Sequence, residues 1–278
     1  DWTGENVYYG LVRKLLNKNV KFTDLTNDHH LTHAAAGFYN SGFEESVVVV
    51  VDGAGSYVTH NFGDNYQVGG YEVESVWYFK YPNTVSLIYK AHGSDNGMFR
   101  ISDQNMLFDA RCGVTKCYEA VTHYLGFGFI EAGKTMGLSS YGKKDDSIPP
   151  FFHNDISSKD VFIPTYPAGA MIDQEICDAL RRTTNPQEWH TDPSKLKDVE
   201  KNVAWKIQND SQNVVLNIIK NAVNMTGVKN VCMVGGYALN CVANYHYVKN
   251  LPDVNLYCEP ISHDGGTAIG GALLAWYE

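Results

Sequence analysis

The residues of this chain best suited to chemistry are His29 and His33, four positions apart in Asp28-His29-His30-Leu31-Thr32-His33. On a helix that spacing stacks both imidazoles on one face about one turn apart, where they can chelate one divalent metal, while His30 points elsewhere. Unrelated histidines at a polar helix N-terminus are the bland alternative for a bare His-x-x-x-His pair. Three of the ten histidines fall within five residues, which favours a site. A carboxylate from elsewhere must complete it, and Asp264, in His263-Asp264-Gly265-Gly266-Thr267, and Asp52 are the candidates.

Glycine turns offer a second kind of chemistry. Asp52-Gly53-Ala54-Gly55-Ser56 follows five consecutive valines. Its glycines can turn the chain and leave the N–H groups of Gly53, Gly55 and Ser56 aimed at a phosphate, with Asp52 holding a metal or water. An ordinary hairpin turn is the alternative. Gly235-Gly236 follows another apolar run and opens a helix, a second anion-ready N-terminus. Two such turns on one sheet suggest a nucleotide held between them. Glu131 and Lys134 set an acid and a base three apart beside glycine, suited to gripping a phosphate or ordering a substrate, although a solvated helix ion pair explains the same spacing. The segment is not a Walker loop. Asn240 and Asn244, i and i+4 after Gly235-Gly236, could address a base or ribose, or be surface polars. There is no Gly-x-Ser-x-Gly elbow and no Cys/His dyad legible from spacing, which disfavours covalent acyl-enzyme chemistry.

These groups need elements to position them. Residues 7–16 have a short amphipathic helical pattern, followed by a strand-like segment at 20–22. Residues 29–39 read as a helix, favoured by Ala34-Ala35-Ala36 and ended by Asn40-Ser41-Gly42, with the histidines in its first turn. Residues 46–52 read as a buried, β-branched strand stopped by glycine. Residues 57–62 and 70–78 follow as two antiparallel strands joined by Gly63-Asp64-Asn65. Strand, tight glycine turn and meander form the opening of a ribonuclease-H-like domain. A helix over 112–125 and an irregular, proline-rich insertion at about 143–190 come next. A long helix is expected from Thr191-Asp192-Pro193 towards Gly227, with Leu196, Val199, Val203, Ile207, Val214 and Ile218 as its apolar stripe. A strand at 230–234, a helix from Gly235-Gly236 through Tyr245, a strand at 254–257 and a Gly/Ala-rich helix over 265–277 make the end of the chain α/β.

With 278 residues, 44% of them hydrophobic, the chain can bury one large core or two modest ones. A net charge of −9 argues against a nucleic-acid groove, which needs clustered Lys and Arg. Six cysteines without a Cys-x-x-Cys pair read as reduced thiols of a cytoplasmic protein. The longest apolar run is far short of the roughly 20 residues that span a bilayer, so no membrane contact is expected. The opening Asp1-Trp2-Thr3-Gly4 has neither an initiator Met nor a basic leader, and the chain is expected to start inside a longer protein.

Six blocks in order resemble the O-carbamoyltransferases of nodulation-factor and antibiotic biosynthesis, whose main domain is related to the Kae-type tRNA threonylcarbamoyl transferases. They are His29-His30-Leu31-Thr32-His33-Ala34, Val51-Asp52-Gly53-Ala54-Gly55, Leu125-Gly126-Phe127, the run from Glu131 to Gly142, the run from Gly235 to Asn244, and the run from Pro260 to Ala268. The resemblance implies an actin-like ATPase fold with two lobes, the first truncated to residues 1–45 and the second covering 46–278. It also implies that His29, His33 and Asp264 ligate an iron-type divalent metal, which binds the phosphate of carbamoyladenylate and the nucleotide. Asp52, Lys134, Gly235, Gly236 and Asn240 match nucleotide-site positions. The carbamoyl group then passes to a hydroxyl of a small-molecule acceptor.

Two departures stand out. Family members carry further N-terminal residues that build the first lobe's phosphate turn, and a C-terminal domain that makes carbamoyladenylate from carbamoyl phosphate and ATP. This chain has neither, and is expected to be a fragment that lacks activity alone or depends on those parts. Ser139-Ser140 replaces the Ala-Pro usual before Tyr-Gly, which bears only on loop shape. Threonylcarbamoyl transfer to tRNA, a sugar-kinase activity on the shared fold, and a non-catalytic nucleotide-binding module are the rival readings. A homodimer is left open.

Overall fold

A computed structural model describes residues 10, 14–15, 23–62, 66–93, 99–101, 106–109, 113–128, 130–148, 150–152 and 197–278. Most of the helix expected at 7–16, the strand at 20–22, the turn at 63–65, most of the insertion and the segment 191–196 lie outside the described residues.

The five valines make the centre of the molecule. Strand β1 (Glu45–Val51) buries Val47 to Val51 completely. Val47, Val49 and Val51 enter one apolar cluster, while Val48 and Val50 enter another on the opposite face. A strand covered on both faces must be apolar throughout, which is why the pattern is a run and not an alternation. Each buried valine contributes on the order of 1.5 kcal/mol or more.

Around β1 lie β2 (Tyr57–Phe62), β3 (Tyr66–Lys80), β4 (Thr84–Gly93), β5 (Phe99–Ile101), β6 (Met106–Asp109), β7 (Asn230–Val234) and β8 (Asn255–Cys258). The sheet runs β5-β6-β4-β3-β1-β7-β8, and β2 pairs with β3. β1 is antiparallel to β3 and parallel to β7, and β8 is parallel to β7. The meander followed by parallel strands is the arrangement expected of a ribonuclease-H-like domain. β3 is longer than expected because one half pairs with β2 while the other serves β1. Register shifts between Glu72 and Glu74, and between Val76 and Trp77, break its alternation.

Helix α1 (His29–Ser41) packs Ala34, Ala35 and Phe38 on one face of the sheet, and α6 (Gly265–Tyr277) lies beside it. Gly42, at φ 73°, closes α1 in the left-handed conformation. The other face is covered by α2 (Val114–Tyr124), α3 (Ala132–Ser139), α4 (Asp198–Thr226) and α5 (Cys241–Asn250).

Two expected helix starts are corrected. α4 begins at Asp198: Lys197 before it is extended, and its N–H donates to Glu200 Oε2 at 2.5 Å. Gly235-Gly236 opens a 3₁₀ turn over Gly236–Leu239, and α5 starts only after Asn240, whose side chain accepts from Ala243 N at 3.0 Å.

Candidate functional site

His29 and His33 emerge one turn apart on α1, as 3.6-residue periodicity requires. Their Nε2 atoms are 3.1 Å apart. Asp52 leaves the end of β1, so its carboxylate reaches the same point from the sheet. Its Oδ2 lies 3.2 Å from His29 Nε2 and 3.8 Å from His33 Nε2, and its Oδ1 accepts from Gly236 N at 3.1 Å.

Asp264 arrives from a third direction. It holds the N-cap position of α6 but makes no capping hydrogen bond, which leaves its carboxylate to face the histidines. Oδ1 is 3.6 Å from both Nε2 atoms. The close crossing of α6 on α1 explains this reach. A Cβ on Gly270 would lie 1.7 Å from Thr32 O, so only glycine lets the two backbones approach this far.

One ligand atom from each of the four residues lies within 4.8 Å of the others. Atoms bound about 2.1 Å from one cation sit roughly 3.0 to 3.4 Å apart in octahedral or tetrahedral arrangements, close to the separations seen here. Two Nε2 atoms 3.1 Å apart are reconciled either by an N–H of one ring donating to the other or by a metal ion that both face. Two imidazoles and two carboxylates suit a borderline first-row divalent ion better than a soft one. His33 is buried and Asp264 is exposed, so the cluster is anchored inside and open at its rim.

The electrostatics reflect this crowding. The hydrogen bond that His29 gives to the Asp52 carboxylate raises the His29 pKa above its ordinary value, while burial lowers that of His33. Burial lowers His30 to about 4. For Asp52, burial raises the pKa, but the His29 hydrogen bond, the charges of His33 and His30 and the Gly236 N–H together hold the carboxyl well below its usual range.

Beside the cluster opens a cavity of about 600 Å³. Its walls are Thr115, Tyr118 and Glu119 of α2, Ala132, Gly133 and Met136 of α3, the Gly236–Leu239 turn with Asn240, and His263-Asp264. Asp264 thus belongs to both cluster and cavity, and Gly236, bonded to Asp52, joins the two.

The remaining expected residues divide. Asn240 lines the cavity but pairs its side chain with Gln208 at 2.9 and 3.2 Å, and Asn244 donates to Ala238 O at 2.7 Å. Gly55 N donates to Glu72 O at 2.8 Å and Ser56 N to Glu72 Oε2 at 3.0 Å, so these two N–H groups are spent within the protein. Gly53 lies under α2, where a Cβ would meet Glu119 Oε1 at 3.3 Å and Lys116 Nζ at 3.4 Å. Lys134 is paired with Glu131 at 2.5 Å and, like Glu131, is not among the lining residues. Gly235 takes φ 86°, with its notional Cβ 2.3 Å from Val51 O.

Tyr118, Glu119 and His263 line the cavity without standing out in the sequence. Thr115, Tyr118 and Glu119 recur at three- and four-residue steps on α2, a face that marks them once the helix is assigned.

A sequence profile described as Carbamoyltransferase N-terminus matches residues 2–273. An uncharacterised protein of Synechocystis is 27% identical over 263 residues, covering 91% of this chain and 37% of its own length. Nodulation protein NolNO of Sinorhizobium fredii is 25% identical over 247 residues, covering 88% of this chain and 30% of that protein. The chain therefore spans about a third of the curated relatives it matches. Among solved structures, full-length HypF in its phosphate- and nucleotide-bound form superimposes with a TM-score of 0.53 at 15% identity, covering 93% of this chain and 44% of that one. The fold is an actin-like, mixed α/β ATPase fold.

Proposed function

Because the chain belongs to the carbamoyltransferase N-terminus family, we propose that it holds the transfer site of a metal-dependent O-carbamoyltransferase. The observation that carries this reading is the meeting of His29, His33, Asp52 and Asp264 beside a cavity whose wall includes Asp264. The reaction passes a carbamoyl group from carbamoyladenylate to a hydroxyl of a small acceptor, leaving a carbamate ester and AMP. An adenylate-forming domain outside this chain makes the donor from carbamoyl phosphate and ATP.

His29, His33 and Asp264 hold the metal, iron by family resemblance, and Asp52 faces the same point. Such a cation, when bound, polarises phosphoryl and carbonyl oxygens and offsets charge on the leaving phosphate. Asp52 keeps the Gly236 turn against the cluster through the Gly236 N–H. α2, α3 and the Gly236 turn enclose the nucleotide, and the HypF structure matched above was itself solved with phosphate and nucleotide. Lys134, held by an exposed ion pair worth at most about 1 kcal/mol, can leave Glu131 to meet the nucleotide's phosphates.

The net charge of −9 supports a small acceptor over tRNA. Among the described residues no helix is long and apolar enough to cross a membrane, and Cys232, Cys241 and Cys258 are free thiols. The free thiols support a cytoplasmic site of action.

Elemental analysis and isothermal titration with ATP on the purified chain test the proposal. The wild-type chain should hold about one divalent metal and bind ATP, and His33→Ala should lose the metal. ATP binding by a wild-type chain that takes up no metal refutes the enzymatic reading and leaves a nucleotide-binding module.

A further inference from the structure

Glu72 of β3 is fully buried, and its carboxylate serves three donors. Oε2 accepts from Ser56 N at 3.0 Å and from His30 N at 3.3 Å, and Oε1 pairs with Lys90 of β4. The two N–H groups belong to different parts of the cluster. Ser56 closes the turn that begins at Asp52, and His30 stands in the first turn of α1 between the two clustered histidines.

α1 needs these acceptors. The first N–H groups of a helix have no partner within it, and Asp28, at the N-cap position, offers no side-chain hydrogen bond. Ser56 Oγ accepts from His29 N at 3.2 Å and Glu72 takes the next N–H, so α1 is capped by the sheet it packs on. A carboxylate is well placed there because the helix dipole is positive at that end. Gly55 completes the joint: a Cβ would lie 2.7 Å from His30 Cδ2 and 2.8 Å from Glu72 Oε2, so any other residue would wedge the two parts apart.

We propose that Glu72 is the positioning residue of the cluster, a single buried carboxylate that ties the Asp52 turn to the histidine helix and so sets how far Asp52 stands from His29 and His33. This rests on the metal reading above. Glu72 is not itself among the grouped ligands. Lys90 balances the buried charge but touches neither N–H, so its removal leaves both ties in place. Losing a residue that orients metal ligands typically lowers metal affinity about 10- to 100-fold.

Glu72→Gln and Lys90→Met, made in the full chain, separate positioning from mere stability. Gln keeps the side chain's size but turns an NH₂ group towards one of the three donors. Co²⁺ is titrated into each protein against a chromophoric chelator, its visible d–d spectrum is recorded, and the metal-free melting temperature is measured alongside. Glu72→Gln should weaken Co²⁺ binding about 10- to 100-fold and change the d–d spectrum, while Lys90→Met stays within about threefold of wild type. Wild-type affinity and spectrum in Glu72→Gln, with only the melting temperature lowered, overturn the inference and leave the metal reading standing. Absence of Co²⁺ binding by the wild-type chain overturns both. If Glu72→Gln does not fold, Glu72→Asp, which retracts the carboxylate but keeps its charge, should show the same weakening, and wild-type affinity there overturns the inference.

Discussion

Replacing Gly235 by alanine attacks the joint between β7 and the cluster where the backbone has least freedom. Gly235 sits at φ 86° and ψ 165°, a region that is essentially glycine-only and costs another residue about 1–3 kcal/mol. The added Cβ would lie 2.3 Å from Val51 O and 2.6 Å from Val51 C. Val51 ends the central strand, fully buried and paired with β3, so it cannot yield. Relief requires Gly235 to retreat by roughly an ångström to reach ordinary contact. That retreat pulls Gly236 N from Asp52 Oδ1, now 3.1 Å away. A hydrogen bond to a charged group contributes about 1.5–3 kcal/mol. Together the two effects come to about 2.5–6 kcal/mol, and at about 2–4 °C per kcal/mol for a protein of this size the melting temperature should fall by at least about 5 °C. Gly137→Ala is the control: it lies in α3 with nothing within 4 Å of the added carbon, so it should be neutral or stabilise by up to about 1 kcal/mol. Thermal unfolding followed by circular dichroism compares the two. A Gly235→Ala protein that melts within about 2 °C of wild type would refute the reasoning from φ and contact distance.

Two further outcomes follow from the same geometry. Asp264→Asn should weaken metal binding while leaving the metal-free melting temperature nearly unchanged, because Asp264 is exposed and caps nothing; equilibrium dialysis and a melting curve measure the two effects, and a large loss of stability contradicts this account. Burial raises the pKa of Glu72, but His30, Lys90 and the Ser56 N–H outweigh it and hold the carboxyl below its ordinary value. A carboxylate with a lowered folded-state pKa contributes stability that is present above its unfolded pKa and lost as pH falls through the folded one. The wild-type melting temperature should therefore drop on acidification below about pH 4.5, and Glu72→Gln should flatten that limb; parallel limbs in the two proteins would assign the acid sensitivity elsewhere.

Local patterns carry much of this molecule. The four-residue spacing of His29 and His33 dictates a shared helix face, because helical periodicity leaves two such side chains no other arrangement. Five valines in a row dictate a strand buried on both sides, and the Gly/Ala-rich end reads as a helix. Only tertiary structure decides which distant groups join them. Asp264 reaches the histidines because Gly270 lets α6 cross α1 at close range, and the Gly236 N–H reaches Asp52 because β7 docks in parallel beside β1. The uses of hydrogen-bonding groups are likewise settled by neighbours. Gly55 and Ser56, in a turn that reads as a phosphate cradle, give their N–H groups to Glu72, and Asn240 gives its amide to Gln208 and the start of α5. A donor's direction depends on which acceptor the packed chain brings to it, and spacing along one segment carries no record of that partner.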